Sequence, residues 1–155
     1  NHNPRPQLLP SSMEYNFTSP LAVFLPRKTM RDKKQILNLN NYRNWMHIIS
    51  NQIKVAYKDA MKDQLAATVK LKAPITIEFT YWKPSNRRSD RANVLCIHEK
   101  FFCDALVEAG WIEDDSDEYL IKTTFKGGEL DRLNPRVDIT ITEVEAAPSR
   151  QGELL

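Results

Sequence analysis

Three aspartates and one lysine in the second half of the chain have side chains that could act on a phosphodiester. Asp90 precedes a helical pattern, Lys100 lies within it, and Asp114 and Asp115 follow it. Short carboxylates are hard oxygen ligands that suit the octahedral shell of Mg²⁺, an ion that neutralises phosphate charge and positions hydroxide. A nearby lysine would stabilise negative charge in the transition state. The alternative is that all four are solvated turn and helix residues.

The spacing of these carboxylates leaves open whether they share one site. A helix of about 17 residues spans about 25 Å, so its two ends cannot both contact one metal ion by simple proximity. Either the flanking loops fold back over the helix, or a second subunit completes the site. A zinc site formed by Cys96, His98 and Cys103 is a further alternative, although their spacing matches none of the usual zinc patterns.

The elements that must position these residues follow a β-α-β-α-β-β order. Apolar periodicity predicts strands at 21–26, 74–82, 119–126 and 136–144, and helices from about 39 through 61 and from 93 to about 109. Both helices have one apolar face to bury. We therefore expect an α+β fold in which two helices pack on a small mixed β-sheet of about four strands. Gly127-Gly128 is interpreted as a turn between the last two strands.

Length and composition predict one globular domain with two polar extensions. The chain has 155 residues, of which 41% are hydrophobic. Residues 1–20 contain four prolines and predict an extended N-terminal arm, residues 21–145 form the domain, and residues 146–155 predict a disordered tail. We find no apolar run long enough for a membrane span and no secretory leader. Cys96 and Cys103 lie too far apart on one predicted helix for a disulfide, which favours reduced thiols and a cytoplasmic location.

The net charge of +2 conceals an asymmetry that favours a polyanionic partner. Residues 1–100 carry 17 Lys and Arg against 7 Asp and Glu, whereas residues 101–155 carry 5 against 13. This distribution would be explained by a basic part that binds a polyanion and an acidic part that places carboxylates against it. The alternative is that the asymmetry is an incidental feature of surface composition. Two basic clusters are candidate phosphate contacts or else exposed solubility loops. They are Arg27, Lys28, Arg31, Lys33 and Lys34, and Arg87, Arg88 and Arg91.

The order of these residues resembles that of the RusA family of Holliday-junction resolvases, which is found in bacteria and bacteriophages. The family pattern runs Asp-x-Asp-Asn, a lysine, Asp-Ala-Leu, Ala-Gly and Asp-Asp, on a β-α-β-α-β-β fold. The resemblance extends from about residue 21 to residue 144. The matching residues are Asp90 and Asn93, Lys100, Asp104-Ala105-Leu106, Ala109-Gly110 and Asp114-Asp115.

The resemblance implies a homodimeric, Mg²⁺-dependent endonuclease, with Mn²⁺ as a substitute ion. Such an enzyme binds four-way or other branched double-stranded DNA and nicks two opposed strands symmetrically, a task suited to a twofold dimer. The resemblance also implies that Asp90 and Asp115 bind the metal, with Asp114 and Asp104 close by. Lys100 would support the transition state.

Two departures from the family pattern affect this expectation. Ala92 stands where the pattern has its second aspartate, and Lys100 follows Asn93 after about four extra residues, close to one helical turn. The extra residues bring in His98 and Glu99, and Glu99 either replaces the missing carboxylate or is solvated. We therefore expect weaker metal binding. The alternative function is a branched-DNA-binding protein with weakened or lost cleavage.

Overall fold

The strands and helices of the computed structural model follow the apolar patterns of the sequence. The structure describes residues 13–67, 69–72, 74–88, 90–114, 116 and 118–144. The strands are β1 (Glu14–Ser19), β2 (Ala22–Leu25), β3 (Lys33–Ile36), β4 (Ile75–Lys83), β5 (Leu120–Leu130) and β6 (Arg136–Glu143). The helices are α1 (Leu39–Asn44), α2 (His47–Met61) and α3 (Arg91–Glu108). Within these described ranges, no helix is long and apolar enough to cross a membrane.

Four strands form a mixed sheet in the order β1-β6-β4-β5. β6 is antiparallel to both β1 and β4, whereas β5 is parallel to β4. Parallel neighbours need a crossover connection, and α3 provides it between β4 and β5. The expected α+β fold with a mixed sheet of about four strands is therefore confirmed. The topology also places the loop before α3 and the loop after α3 at opposite ends of the sheet.

The ends of α3 follow from its capping residues. Asp90 is the N-cap, with extended backbone and a side chain that accepts a hydrogen bond from the helix. Gly110 follows the helix with φ 85°, a left-handed conformation that glycine adopts without strain. The predicted glycine termination is confirmed, and the helix begins two residues before the predicted Asn93.

Helix α3 lies between the sheet and α2 because it is apolar on two sides. Phe102 packs against Phe17 of β1 and Phe79 of β4, at ring-centroid distances of 5.2 Å and 6.1 Å. The neighbouring Phe101 points the other way, and its ring lies 5.6 Å from that of Tyr57 in α2. This central position fixes both ends of α3 relative to the sheet.

Several elements were not predicted from the sequence. Residues 14–19, within the predicted arm, form β1 and pair with β6. Part of the predicted basic loop forms β3, which pairs with β2 in a separate two-stranded sheet. The single helix predicted from about Leu39 is divided into α1 and α2 by extended backbone at Trp45 and Met46. Residues 1–12 and the predicted disordered tail at 146–155 lie outside the described residues.

The interpretation of Gly127-Gly128 as a turn is wrong, because both glycines lie within β5. The pairing of β4 with β5 shifts register between Tyr81 and Lys83, opposite this part of β5. A Cβ atom on Gly128 would lie 2.9 Å from the Tyr81 carbonyl oxygen and 2.9 Å from Trp82 Cδ2. Glycine is therefore required by close approach of the neighbouring strand.

Candidate active site

Asp90 contributes a carboxylate at the N-terminal end of α3. Its Oδ1 accepts a hydrogen bond from the backbone N–H of Ala92 at 3.0 Å. The partial positive charge at a helix N-terminus favours an anion at this position. The first turn of α3 contains no acidic residue, and the Ala92 side chain is exposed there. This end of the helix thus presents the Asp90 carboxylate next to the position where the family pattern has a second one.

Asp114 contributes a carboxylate beyond the other end of α3. Its Oδ1 accepts a hydrogen bond from the Ser116 backbone N–H at 2.8 Å. Hydrogen bonds from the Ser116 side chain and backbone lower the pKa of Asp114, which keeps this exposed carboxylate ionised. Asp104 lies within α3 and is partly buried, and Asp115 lies outside the described residues.

Asp90 and Asp114 are not brought together within one protomer. The 18 residues of α3 separate them by about 27 Å along the helix axis. Each of these two carboxylates accepts a hydrogen bond from a backbone N–H at its own end of the helix. No group of three or more His, Cys, Asp or Glu side chains that could hold a metal occurs among the residues that the structure describes. The described residues of one protomer therefore do not fit a Mg²⁺ site by themselves.

Lys100 lies in an open groove between α3 and the start of β5. The groove has a volume of about 570 Å³ and is lined by Cys96, Glu99, Lys100, Cys103 and residues 120–123. The exposed Lys100 ammonium lies 5.8 Å from the centroid of the Tyr42 ring. Its backbone lies about 14 Å along the axis from the start of α3, which places it between the two carboxylate ends. Glu99 also lines the groove, where it could face a ligand.

His98 belongs to the core and not to this groove. Its side chain is fully buried, and Nδ1 lies 2.8 Å from Ser19 Oγ, which in turn lies 2.7 Å from the Tyr57 hydroxyl. Burial lowers the pKa of His98 to about 3, so its imidazole is neutral. The zinc alternative is not supported, because the described residues offer no metal-binding cluster that includes Cys96 or Cys103.

A polar cluster at the carboxyl ends of β4 and β5 was not predicted from the sequence. Arg136 pairs with Asp131 at 2.8 Å and with Asp138 at 2.9 Å, and its guanidinium carbon lies 5.0 Å from the Trp82 ring centroid. The Trp82 indole N–H donates to Asp138 at 2.9 Å. The two-residue spacing of Arg136 and Asp138 was a signal that they share one face of a strand, but their contact with Trp82 depends on the β4–β6 register.

The two basic clusters lie on different structural supports. Lys33 and Lys34 lie on β3, whereas the other three residues of the first cluster lie in the connection between β2 and β3, and all five are exposed. The Arg27 Nε atom donates to the Arg31 carbonyl at 3.0 Å, which orders this connection. The second cluster flanks Asp90, and a Cβ atom on Gly127 would lie 3.1 Å from Arg91 Nη1. The Arg91 side chain therefore reaches β5, at the end of the sheet where Asp90 also lies.

The chain matches a known protein family. A family model described as endodeoxyribonuclease RusA matches residues 20–142. This range contains every candidate carboxylate, Lys100 and both basic clusters. No curated protein matches the chain significantly.

Proposed function

The chain belongs to the RusA family of endodeoxyribonucleases, and we propose that it is a nuclease that resolves four-way or other branched DNA junctions. The observation that carries this proposal is the family match over most of the chain. The ordered series from Asp90 to Asp115 supports it, because it supplies carboxylates and a lysine, the side chains that phosphodiester hydrolysis uses. DNA as the substrate is also the reason for proposing a cytoplasmic location.

The proposed cleavage depends on Mg²⁺, for which Mn²⁺ is a substitute. The proposed ligands are Asp90, Asp115, Asp114 and Asp104. When bound, the ion would neutralise charge on the scissile phosphate. Because Asp90 and Asp114 lie at opposite ends of α3, we propose a homodimer in which each site combines carboxylates of two protomers. A twofold dimer would present two equivalent sites, one for each of two opposed strands.

The proposed DNA contacts are the two basic clusters. Their exposed side chains can neutralise phosphates without reading sequence, so binding should weaken steeply as salt rises. Reversing the charge of Lys33 and Lys34 together should lower junction affinity at low salt and flatten its salt dependence. Reversal of Lys54, on α2 and outside both clusters, serves as the control. Unchanged affinity in the Lys33 and Lys34 variant would remove the β2–β3 hairpin from the binding surface.

A second candidate function is junction binding with little or no cleavage. The specific observation in its favour is Ala92, which is exposed beside Asp90 in a helical turn without acidic residues. A missing ligand would weaken metal binding and leave phosphate contacts intact. In that case Ala92→Asp should raise the rate of cleavage.

Cleavage of a synthetic four-way junction, with and without Mg²⁺, tests the proposed function. The wild-type protein should cleave only with the ion, whereas Asp90→Asn and Asp115→Asn should bind the junction in EDTA without cleaving it with Mg²⁺. Lys100→Ala should slow cleavage more than Lys54→Ala, at a lysine on α2 outside this groove. Binding in EDTA without Mg²⁺-dependent cleavage would favour the second candidate. Absence of both binding and cleavage would contradict both functions.

A further inference from the structure

Lys100 differs from the paired lysines of the structure in the group that its ammonium contacts. Lys58, Lys62 and Lys126 each form an ion pair with a carboxylate. Among the residues that the structure describes, no carboxylate pairs with Lys100, and its Nζ atom lies over the Tyr42 ring, 5.8 Å from the centroid. The attraction of a cation to an aromatic ring extends to about 6 Å, so this contact is within its range.

The Tyr42 ring is itself held in place by α1 and by neighbouring aromatic rings. It is partly buried and meets Phe101 and Trp45 edge to face, at ring-centroid distances of 6.3 Å and 5.9 Å. The start of α1 is fixed by Asn38, whose side chain accepts a hydrogen bond from the Asn41 backbone N–H at 2.8 Å. A ring that is fixed in this way can set the position of a flexible side chain that packs on it.

We propose that Tyr42 is a positioning residue for cleavage, whose ring holds the Lys100 ammonium in the groove between α3 and β5, in place for the scissile phosphate. This inference rests on the proposed function, since it assigns Lys100 to the phosphate that is cleaved. Tyr42 acts through Lys100 and contacts neither metal nor DNA in this role.

An aromatic ring suits this task better than a carboxylate. A carboxylate partner would neutralise the ammonium and would compete with the phosphate for its N–H donors. The quadrupole of a ring attracts the cation and leaves its charge and its donors available for the phosphate. A lysine side chain has large rotamer freedom, and holding it before DNA binds removes that entropy cost from the reaction. The contact with Tyr42 therefore explains how a lysine on an exposed helix surface can act at a defined position.

Three variants separate this role from a merely structural one, because Tyr42 also packs on Phe101. Tyr42→Phe retains a ring, whereas Tyr42→Leu retains an apolar side chain without one. The matched control is Tyr15→Leu, at a partly buried tyrosine near the other end of α3. The Tyr15 ring also packs edge to face, on Trp111 at 5.7 Å, so its loss reports the effect of removing such a contact alone.

Reductive methylation of the lysines with isotope-labelled formaldehyde, followed by NMR, tests the contact without DNA or metal. The dimethylated ammonium keeps its charge, and the Lys100 methyl signal, assigned with Lys100→Arg, should be shifted upfield by the ring current of Tyr42. Tyr42→Phe and Tyr15→Leu should keep this shift, whereas Tyr42→Leu should move the signal to the position of the exposed lysines. A Lys100 signal that is the same in the wild-type protein and in Tyr42→Leu would overturn the inference.

Single-turnover cleavage of a saturating four-way junction with Mg²⁺ gives the second measurement. Tyr42→Leu should lower the cleavage rate about tenfold, because the displaced ammonium no longer meets the phosphate, and should leave junction affinity in EDTA unchanged. Tyr42→Phe and Tyr15→Leu should retain the wild-type rate. In the Lys100→Ala background, Tyr42→Leu should cause no further loss, because the two residues act as one unit. Equal losses in the two Tyr42 variants, or an undiminished loss in the absence of Lys100, would contradict the positioning role.

The two proposals fail in distinguishable ways. A methyl signal that follows the Tyr42 variants in a protein that does not cleave junctions supports the placement of Lys100 by Tyr42 and contradicts the nuclease function. Mg²⁺-dependent cleavage that is lost in Lys100→Ala and unaffected by Tyr42→Leu supports the nuclease function and overturns the positioning role.

Discussion

The residue His98 shows why the type of a side chain does not reveal its role. In the sequence it lies beside Glu99 and between two cysteines, as a candidate ligand or a partly packed surface residue. In the structure it is one of nine buried residues of α3, with Nδ1 near Ser19 and, within the described part of the chain, no hydrogen-bond partner for Nε2. Both sides of α3 are apolar, so periodicity could not assign His98 to a face.

The burial of His98 predicts that acid destabilises the fold. Its pKa is about 3 in the folded protein, compared with about 6.5 for an exposed histidine, so the unfolded chain binds the extra proton between these values. Stability should therefore fall as pH decreases from about 6.5 towards 3, by about 1.4 kcal/mol per pH unit from this residue. Urea unfolding gives the free energy of unfolding at pH 7 and at pH 5. Between these two values it should fall by about 2 kcal/mol more for the wild-type protein than for His98→Phe. The control His47→Phe, at an exposed histidine, should lose as much free energy of unfolding between pH 7 and pH 5 as the wild-type protein. The prediction would be contradicted if His98→Phe also lost as much as the wild-type protein.

At the scale of elements, the sequence predicts those whose burial pattern is regular. β4 and β6 alternate buried and partly exposed residues, and their predicted positions are confirmed. β1 was interpreted as an arm because prolines surround it, although pairing with β6 supplies its hydrogen bonds. β3 carries Lys33-Lys34 and no strong apolar alternation, so its strand conformation depends on pairing with β2. Long-range pairing of this kind leaves no local pattern.

The inclusion of β1 in the sheet makes Phe17 a test of the fold. Its ring is 5% exposed and lies 5.2 Å from that of Phe102 and 5.4 Å from that of Trp111. Phe17→Ala should lower the free energy of unfolding by about 3–5 kcal/mol, because it leaves a cavity between the sheet and α3. The matched control is Phe24→Ala, at a residue of β2 that is 56% exposed, and it should lower the free energy of unfolding much less. Equal effects in chemical denaturation would mean that residues 14–19 are not part of the core.

At the scale of the whole molecule, the sequence order of the site residues identifies the family but not the geometry of the site. The ordered series from Asp90 to Asp114 follows the RusA pattern, yet the crossover between β4 and β5 separates these two residues by the length of α3. Helical rise alone predicted that separation. It could not decide between loops that fold back and a second subunit, because that choice depends on tertiary structure. Asp90 and Asp114 each accept a hydrogen bond at their own end of α3, and our proposal is that a second subunit completes each site.

A site shared between protomers predicts complementation between two inactive variants. In a mixed dimer of Asp90→Asn with a protomer that carries both Asp114→Asn and Asp115→Asn, one site contains all the substitutions and the other contains none. Co-expression with two affinity tags isolates this dimer, whereas each variant alone forms only defective sites. We expect the mixed dimer to nick one strand of a four-way junction at roughly half the wild-type rate per dimer, without the second, opposed nick. If each site used carboxylates of a single protomer, every site of the mixed dimer would be defective. Isolated mixed dimers that bind the junction but never nick it would therefore exclude the shared site.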